Sequence, residues 1–430
     1  MVERPEVPAS PGDPAPSALH RQEIRQIFLY FALLALLLGL GNGLSGLPVV
    51  FYLKEKLQMG PQALARFSAL ASIPSYIGFL FGYLRDRWRP FGKGDRGYML
   101  LTMPVIACLN LYLSFGDLTY TRILWVALAS GIIGGMLGAA ISGLKVAVAQ
   151  KHLMTGRLVA LGGIIGVVPG ILSSLAGGWL THHVPTSLVF RLCAGLYYLV
   201  TFFALWRPAA VFEGQSERRP STKEGNFAAV KRMLRHRPFW PALVIILLWV
   251  FAPGWGTPLF FYLTEKLKIT PEQYGVISAS GIAVTAVVSV LYGILCRRMP
   301  LKRLLWWGTI LGTIAGPAYL LIHGFGQAIA ISILVSLLLG ITNASFGDLL
   351  MRSYPKGLEG TGDTLVGSFA AGVAVGSDLF GSWLYEKGGF GLALGITTLF
   401  SALIVPVLFL LPRALISTRD GETNREAAES

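Results

Sequence analysis

Charge is scarce in this sequence. Of its 430 residues 13% are Asp, Glu, Lys or Arg, whereas 53% are hydrophobic and 51 are glycine. A soluble protein carries about a quarter charged residues and about 7% glycine, so a large water-soluble core is excluded. Cysteine is nearly missing. Cys108, Cys193 and Cys296 all lie in or beside apolar stretches, which excludes a disulfide framework and leaves them as small packing residues. No GxxxxGK[ST] phosphate loop occurs, which argues against ATP-driven work. The histidines fall in the N-terminal tail, in loops or at span ends, none at metal-ligand spacing with a cysteine. With no serine, cysteine or acid pair converging on them, the expectation is no enzyme, no metal and no cofactor. Residues 1–20 have no apolar h-region or small-residue cleavage site, so a secretory signal is not expected and a disordered tail is.

What the chain does have is apolar length. Runs of about twenty residues, enough to cross a hydrocarbon layer of roughly 30 Å, recur along it. They predict twelve spans at 27–53, 64–84, 98–116, 122–147, 158–181, 188–206, 239–263, 274–296, 304–323, 327–350, 362–385 and 390–411. Helix is the expected form, because a helix satisfies its own backbone polar groups in lipid and no strand-like alternation appears. The expected fold is therefore an all-α integral membrane protein.

The net charge of +14 invites a nucleic-acid reading, but its distribution answers it. If the even-numbered connections and both termini share one side, that side holds 27 of the lysines and arginines and the other holds eight. The clusters are Arg85, Arg87, Arg89, Lys93 and Arg96; Arg297, Arg298, Lys302 and Arg303; and eight residues in the 207–238 connection. Basic loops stay cytoplasmic, so the reading is a protein of the cytoplasmic membrane with both termini inside. No nucleic-acid partner is expected.

The chain is also internally duplicated. GLPVVFYLKEKLQMGP at 46–61 aligns with GTPLFFYLTEKLKITP at 256–271, identical at nine of sixteen positions with a constant offset of 210. Gly177-Gly178-Trp179-Leu180 likewise recurs as Gly381-Ser382-Trp383-Leu384. Two six-helix halves of the same orientation follow. The expected division is a tail at 1–26, one half at 27–206, a cytoplasmic linker at 207–238, the other half at 239–411 and a tail at 412–430. The first span carries Gly39, Gly41, Asn42, Gly43, Ser45, Gly46 and Pro48, and the seventh carries Pro253, Gly254, Gly256 and Pro258. Such residues loosen a helix and free backbone groups. At equivalent places in two halves they point to a solute pathway or to close helix packing.

Gly82-Tyr83-Leu84-Arg85-Asp86-Arg87, followed by Gly92, Lys93 and Arg96, resembles the loop between helices 2 and 3 of the major facilitator superfamily. The lengthening insert RPFGKGDRGY and the FYLKEKL segment are similar to the folate–biopterin transporters and the muropeptide permeases. Asp348, the run Pro355-Lys356-Gly357-Leu358-Glu359-Gly360-Thr361 and Ser368 resemble the helix 10–11 junction of the folate–biopterin group. The resemblance implies the two-half facilitator fold and transport. It also implies that Asp86, with Arg87 beside it, locks the cytoplasmic side by meeting the start of the eleventh span near Thr361 and Gly362. That group tends to carry an acid near the end of helix 4, where this chain has Lys145. Gly162, Gly163, Gly166, Pro169 and Gly170 resemble in part a helix 5 motif of exporters, but the spacing is incomplete. They read as close-packing residues and do not imply export.

A charge inside the hydrocarbon region costs at least about 2.5–3.5 kcal/mol, so each one needs a reason. Asp378, in the eleventh span, falls opposite Ser174 of the fifth under the offset set by GGWL and GSWL. It reads as a proton-carrying or cation-binding group, or as a local hydrogen-bond partner of Ser382. Lys145 and Asp348 coincide near the cytoplasmic ends of spans 4 and 10. They read as a salt bridge between the halves, or as a snorkelling lysine and an acid beside Arg352. Trp255, next to the break in span 7, is placed in the pathway with Asn42 and Ser45. The expected activity is secondary active transport of a small organic solute by alternating access, by a monomer in lipid, with proton coupling as one reading. The alternatives are an uncoupled facilitator and a transporter-like sensor.

Overall fold

The computed structural model describes residues 16–151, 155–212, 235–237, 239–354, 359–412 and 416–417. Among the described residues every regular element is helical. Among the described residues eight helical stretches are long and apolar enough to cross a membrane. One of them, Leu365–Leu408, covers most of spans 11 and 12 as two helices that meet at a kink. The kink is Gly389, which is non-helical with φ of 75° and ψ of −177°, a conformation open to glycine at no steric cost. It lets the chain turn between the two helices without a loop. Three further expected spans are helical but interrupted or only partly described. Span 2 is cut into Pro61–Ala71, Ile73–Tyr76 and Gly78–Arg87, with Pro74 at the first turn of the middle piece. Span 5 is the single helix Thr155–His183. Span 7 is Phe239–Val250, a non-helical stretch, then Thr257–Phe261 running into a π-turn at Tyr262–Lys266.

The duplication is visible in backbone detail. Span 1 breaks between Pro16–Gly43 and Gly46–Glu55. Its end and the end of span 7 are built alike. Leu57 N–H donates to the Tyr52 carbonyl and Leu267 N–H to the Tyr262 carbonyl, each at 3.2 Å. Gln58 and Lys268, 210 residues apart, both take a left-handed backbone with φ of 51° and 54°, although neither is glycine. The next helices then start on equivalent prolines, Pro61 and Pro271. Two copies of one strained turn are hard to obtain except from one ancestral unit.

Two apolar clusters lie within single halves. One gathers Tyr30, Met99, Leu144 and Val200, and the other Phe239, Leu305, Phe346 and Ile404. A third crosses between halves, joining Phe51, Leu53 and Phe67 to Phe260 and Phe261. It sits at the ends of the spans opposite the basic loops. There span 5 lies against span 8 through glycines: a Cβ on Gly178 would come within 2.6 Å of the Pro271 carbonyl, and Gly275 faces the Ser174 carbonyl as tightly. Small residues permit such backbone approach where side chains would hold the helices apart. Polar contacts rim the same seal. Gln62 N–H donates to Glu386 Oε1 at 2.9 Å, and the imidazoles of His182 and His183 lie 3.4 and 3.5 Å from Glu272 Oε1. The halves are closed against each other at this end.

Candidate functional site

The breaks in spans 1 and 7 bring polar groups to two cavities, one in each half. The first, of about 150 Å³, lies among spans 1, 3, 4 and 6 and is lined by Asn42, Ser130 and Tyr197 with Leu38, Ile106 and Leu137. Tyr197 donates its hydroxyl to Asn42 Oδ1 at 2.5 Å. The second, of about 130 Å³, lies among the equivalent spans 7, 9, 10 and 12 and is lined by Trp249, Trp255, Asn343 and Thr397 among others. Trp249 Nε1 donates to Asn343 Oδ1 at 2.7 Å, and Trp255 meets Tyr319 edge to face at 5.1 Å. Each cavity thus pairs an amide with an aromatic donor, and neither is lined by a charged side chain among the described residues. Such a lining orients a solute by hydrogen bonds and ring contacts rather than by ion pairing.

Asp378 stands between span 11 and the break in span 7. Its Oδ1 accepts from the Thr257 N–H and its Oδ2 from the Thr257 hydroxyl, both at 2.8 Å. Thr257 opens the second piece of span 7, so the carboxylate caps a helix N-terminus from another helix, where the exposed N–H groups and the dipole favour an anion. Gly256 makes this possible. Its φ is 70°, and a Cβ there would lie 2.7 Å from Asp378 Oδ1. The Ser382 hydroxyl, the local partner considered from the sequence, is buried with no hydrogen-bond partner. The freed N–H of a broken helix takes the carboxylate instead.

The other expected site residues are scattered. Asn42 and Trp255 line the two cavities. Ser45 lies beside the buried Cys193 thiol and makes no capping bond to span 1. Ser174 belongs to the contact between spans 5 and 8, where its carbonyl faces Gly275. Asp348 is engaged within its own half: Arg352 Nε and Nη2 donate to it at 2.8 and 3.1 Å, and the Tyr292 hydroxyl at 3.2 Å. Lys145 is half-buried and not paired with Asp348 in this conformation. The side chains of Asp86 and Arg87 lie outside the described residues, and so do those of Thr361 and Gly362.

Sequence reasoning passed over Lys54. Its Nζ crosses to the other half and donates to Thr264 Oγ1 at 2.6 Å, with Glu265 at 4.0 Å. The signal was available, since Lys54 and Thr264 are equivalent positions at which the two copies of the repeat differ.

The comparisons agree with this architecture. A folate–biopterin transporter of Synechocystis sp. is 26% identical over 417 residues, covering 89% of this chain and 81% of the relative. The probable folate–biopterin transporter 2 of Arabidopsis thaliana is 23% identical, covering 87% and 80%. Among solved structures, a POT family transporter in complex with 5-aminolevulinic acid superposes with a TM-score of 0.74 at 12% identity, covering 90% of this chain and 96% of the other. A D-xylose–proton symporter gives 0.66 at 15% identity, with 90% and 98% covered. The fold is that of the major facilitator transporters, and the protein is a multi-pass membrane transporter rather than an enzyme. Of the two branches its motifs resemble, the match falls on the folate–biopterin one: residues 38–430 fit the BT1 family, to which this chain belongs.

Proposed function

We propose that the chain is a secondary active transporter that moves a small organic solute by alternating access. The halves 27–206 and 239–411 rock about a central pathway within one monomer, and 207–238 links them on the cytoplasmic face of the cytoplasmic membrane. The observation that carries this reading is the seal opposite the basic loops, built from the duplicated element of each half. With those loops inside, the seal is the outer gate, shut, and a pair of equivalent elements that closes one end can part to open it.

The relatives' names and the neutral, amide-and-aromatic cavities together favour a planar heterocycle of the pterin class. A ring with donors and acceptors on its edge suits Asn42, Tyr197 and Asn343, and its faces suit Trp249 and Trp255. Lys145 stands where the resemblance implies an acid near the end of helix 4, a difference of charge that bears on discrimination within that class. Asp378 is the coupling group in this reading. Ionised, it caps span 7; protonated, it loses the charge that the helix N-terminus favours, and the break is freed to move. Its two bonds to Thr257 favour a second reading, a purely structural cap.

Proteoliposomes loaded under an imposed pH gradient test both. Uptake of labelled biopterin or folate above that of empty vesicles is expected for wild type. Asp378→Asn keeps an acceptor for Thr257 N–H but cannot ionise, so accumulation should collapse while equilibrium exchange survives. If accumulation in the mutant follows the gradient as in wild type, Asp378 is only a cap. Single cysteines at Ser216 and Thr222 should resist impermeant reagents in intact cells, and labelling from outside would reverse the orientation.

A further inference from the structure

A lysine whose side chain is 13% exposed needs a partner, because removing an ammonium from water without one is expensive. Among the described residues the hydrogen-bond and ring contacts of Lys54 all belong to the other half, and Glu55 of its own half acts on it through charge alone. Thr264 Oγ1 accepts from Nζ at 2.6 Å, and that hydroxyl donates its own proton to the Phe260 carbonyl at 2.7 Å, which leaves a lone pair turned to the lysine. The rings of Phe260 and Phe261 lie 5.4 and 5.1 Å from the ammonium, within cation–π range. Glu265 stands 4.0 Å away but is half exposed, so it contributes little.

The pairing carries a second meaning. Lys54 and Thr264 are 210 residues apart, the offset of the repeat. Residues can touch their own repeat equivalents only beside the pseudo-two-fold axis that relates the halves. At that point perfect duplication would set lysine against lysine, a desolvated like-charge contact, or threonine against threonine, with no charge at all. One of each gives a charge-assisted hydrogen bond.

We propose that Lys54 is the bolt of the outer gate: a partly buried cation beside the axis whose contacts with Thr264, Phe260 and Phe261 all break together when the halves part. This rests on the alternating-access reading above. It makes Lys54 a positioning residue that sets the balance between conformations rather than a solute-binding one.

The test reads the gate directly. The three native cysteines are replaced, and spin labels are placed at Asp117 and Lys387, exposed positions on the two halves at the sealed end. Distances are then measured on the full chain in lipid nanodiscs without solute. The background protein should give one short distance. Lys54→Met keeps the apolar stem but not the charge, and Thr264→Lys sets two ammonium groups together. Each should raise the ratio of long to short distances by roughly tenfold or more, the scale of one charge-assisted hydrogen bond. The exchange Lys54→Thr with Thr264→Lys rebuilds the pair in mirror image and should restore the short distance, and Lys54→Arg should keep it. A Lys54→Met distribution like the background, or an exchange no better than Thr264→Lys alone, overturns the proposal. Distances that shift as expected in a protein that moves no solute would leave the bolt standing and remove the transport reading.

Discussion

Spans 1 and 7 begin from one sequence element and break differently. In span 1 the interruption is two residues long, Leu44 and Ser45, and the helix resumes at Gly46 with no special backbone angle. A Cβ on Gly46 would meet nothing within 4 Å. In span 7 the helix stops at Val250 and resumes at Thr257, with Pro253 and Gly254 between and Gly256 at a φ of 70°. The first break satisfies itself locally, whereas the second borrows a carboxylate from span 11. A chain can therefore keep a duplicated fold while resolving one shared break in two ways, with a carboxylate cap at the second break and none at the first. The second half is where a conformational change has the most to rearrange.

That comparison is easily attacked at the glycines. Gly256→Ala places a side chain in a backbone region that glycine alone occupies readily and pushes it onto Asp378, so a loss of about 1–3 kcal/mol is expected. It should appear as a clear drop in melting temperature in detergent. Gly46→Ala should stay within about 0.5 kcal/mol of wild type. Equal effects at the two positions would show that the breaks are equivalent after all.

The caps give the next largest contrast. Asp378→Ala strips the N-terminus of the second piece of span 7 and should cost about 1–2 kcal/mol, while Asp378→Asn should melt close to wild type. Ser45→Ala removes no capping bond and should be nearly silent. A destabilised Ser45→Ala would mean that span 1 depends on its cap as span 7 does.

The smallest effect concerns the cavities. Tyr197→Phe deletes one hydrogen bond to an asparagine and should weaken solute binding by up to roughly tenfold with little change in melting temperature. Trp249→Phe deletes one together with part of the ring packed on Gly312, and should weaken binding at least as much with some loss of stability. A loss confined to Trp249→Phe would assign recognition to the second half and sharpen the asymmetry further.

Much of the fold was legible in the sequence because lipid leaves few choices. Apolar length gave the spans, and a run with nine of sixteen positions identical at a fixed offset gave the duplication. The kink that separates spans 11 and 12, at Gly389, falls within the expected connection between them. The site was legible only in parts. Asn42 and Trp255 reach cavities because helix-loosening residues do free backbone and open space. The partner of Asp378 could not be read, since Thr257 lies 121 residues away and only packing sets spans 7 and 11 in register. Asp348 illustrates another limit. An arginine four residues further along the same helix is available to it locally, whereas Lys145 belongs to the other half and is not paired with it in this conformation. Lys54 escaped notice because a lysine near a span end looks like an interfacial anchor until its neighbour is known.

The contact at the axis also bears on how such a chain arose. While the six-helix unit was encoded once and assembled as a pair, both copies had to present the same residue at the axis, and any change appeared twice. Joining the copies in one reading frame released that constraint, so that one side could become lysine and the other threonine. The fused halves are for that reason no longer interchangeable, and a pairing of two first halves would meet charge against charge at its centre.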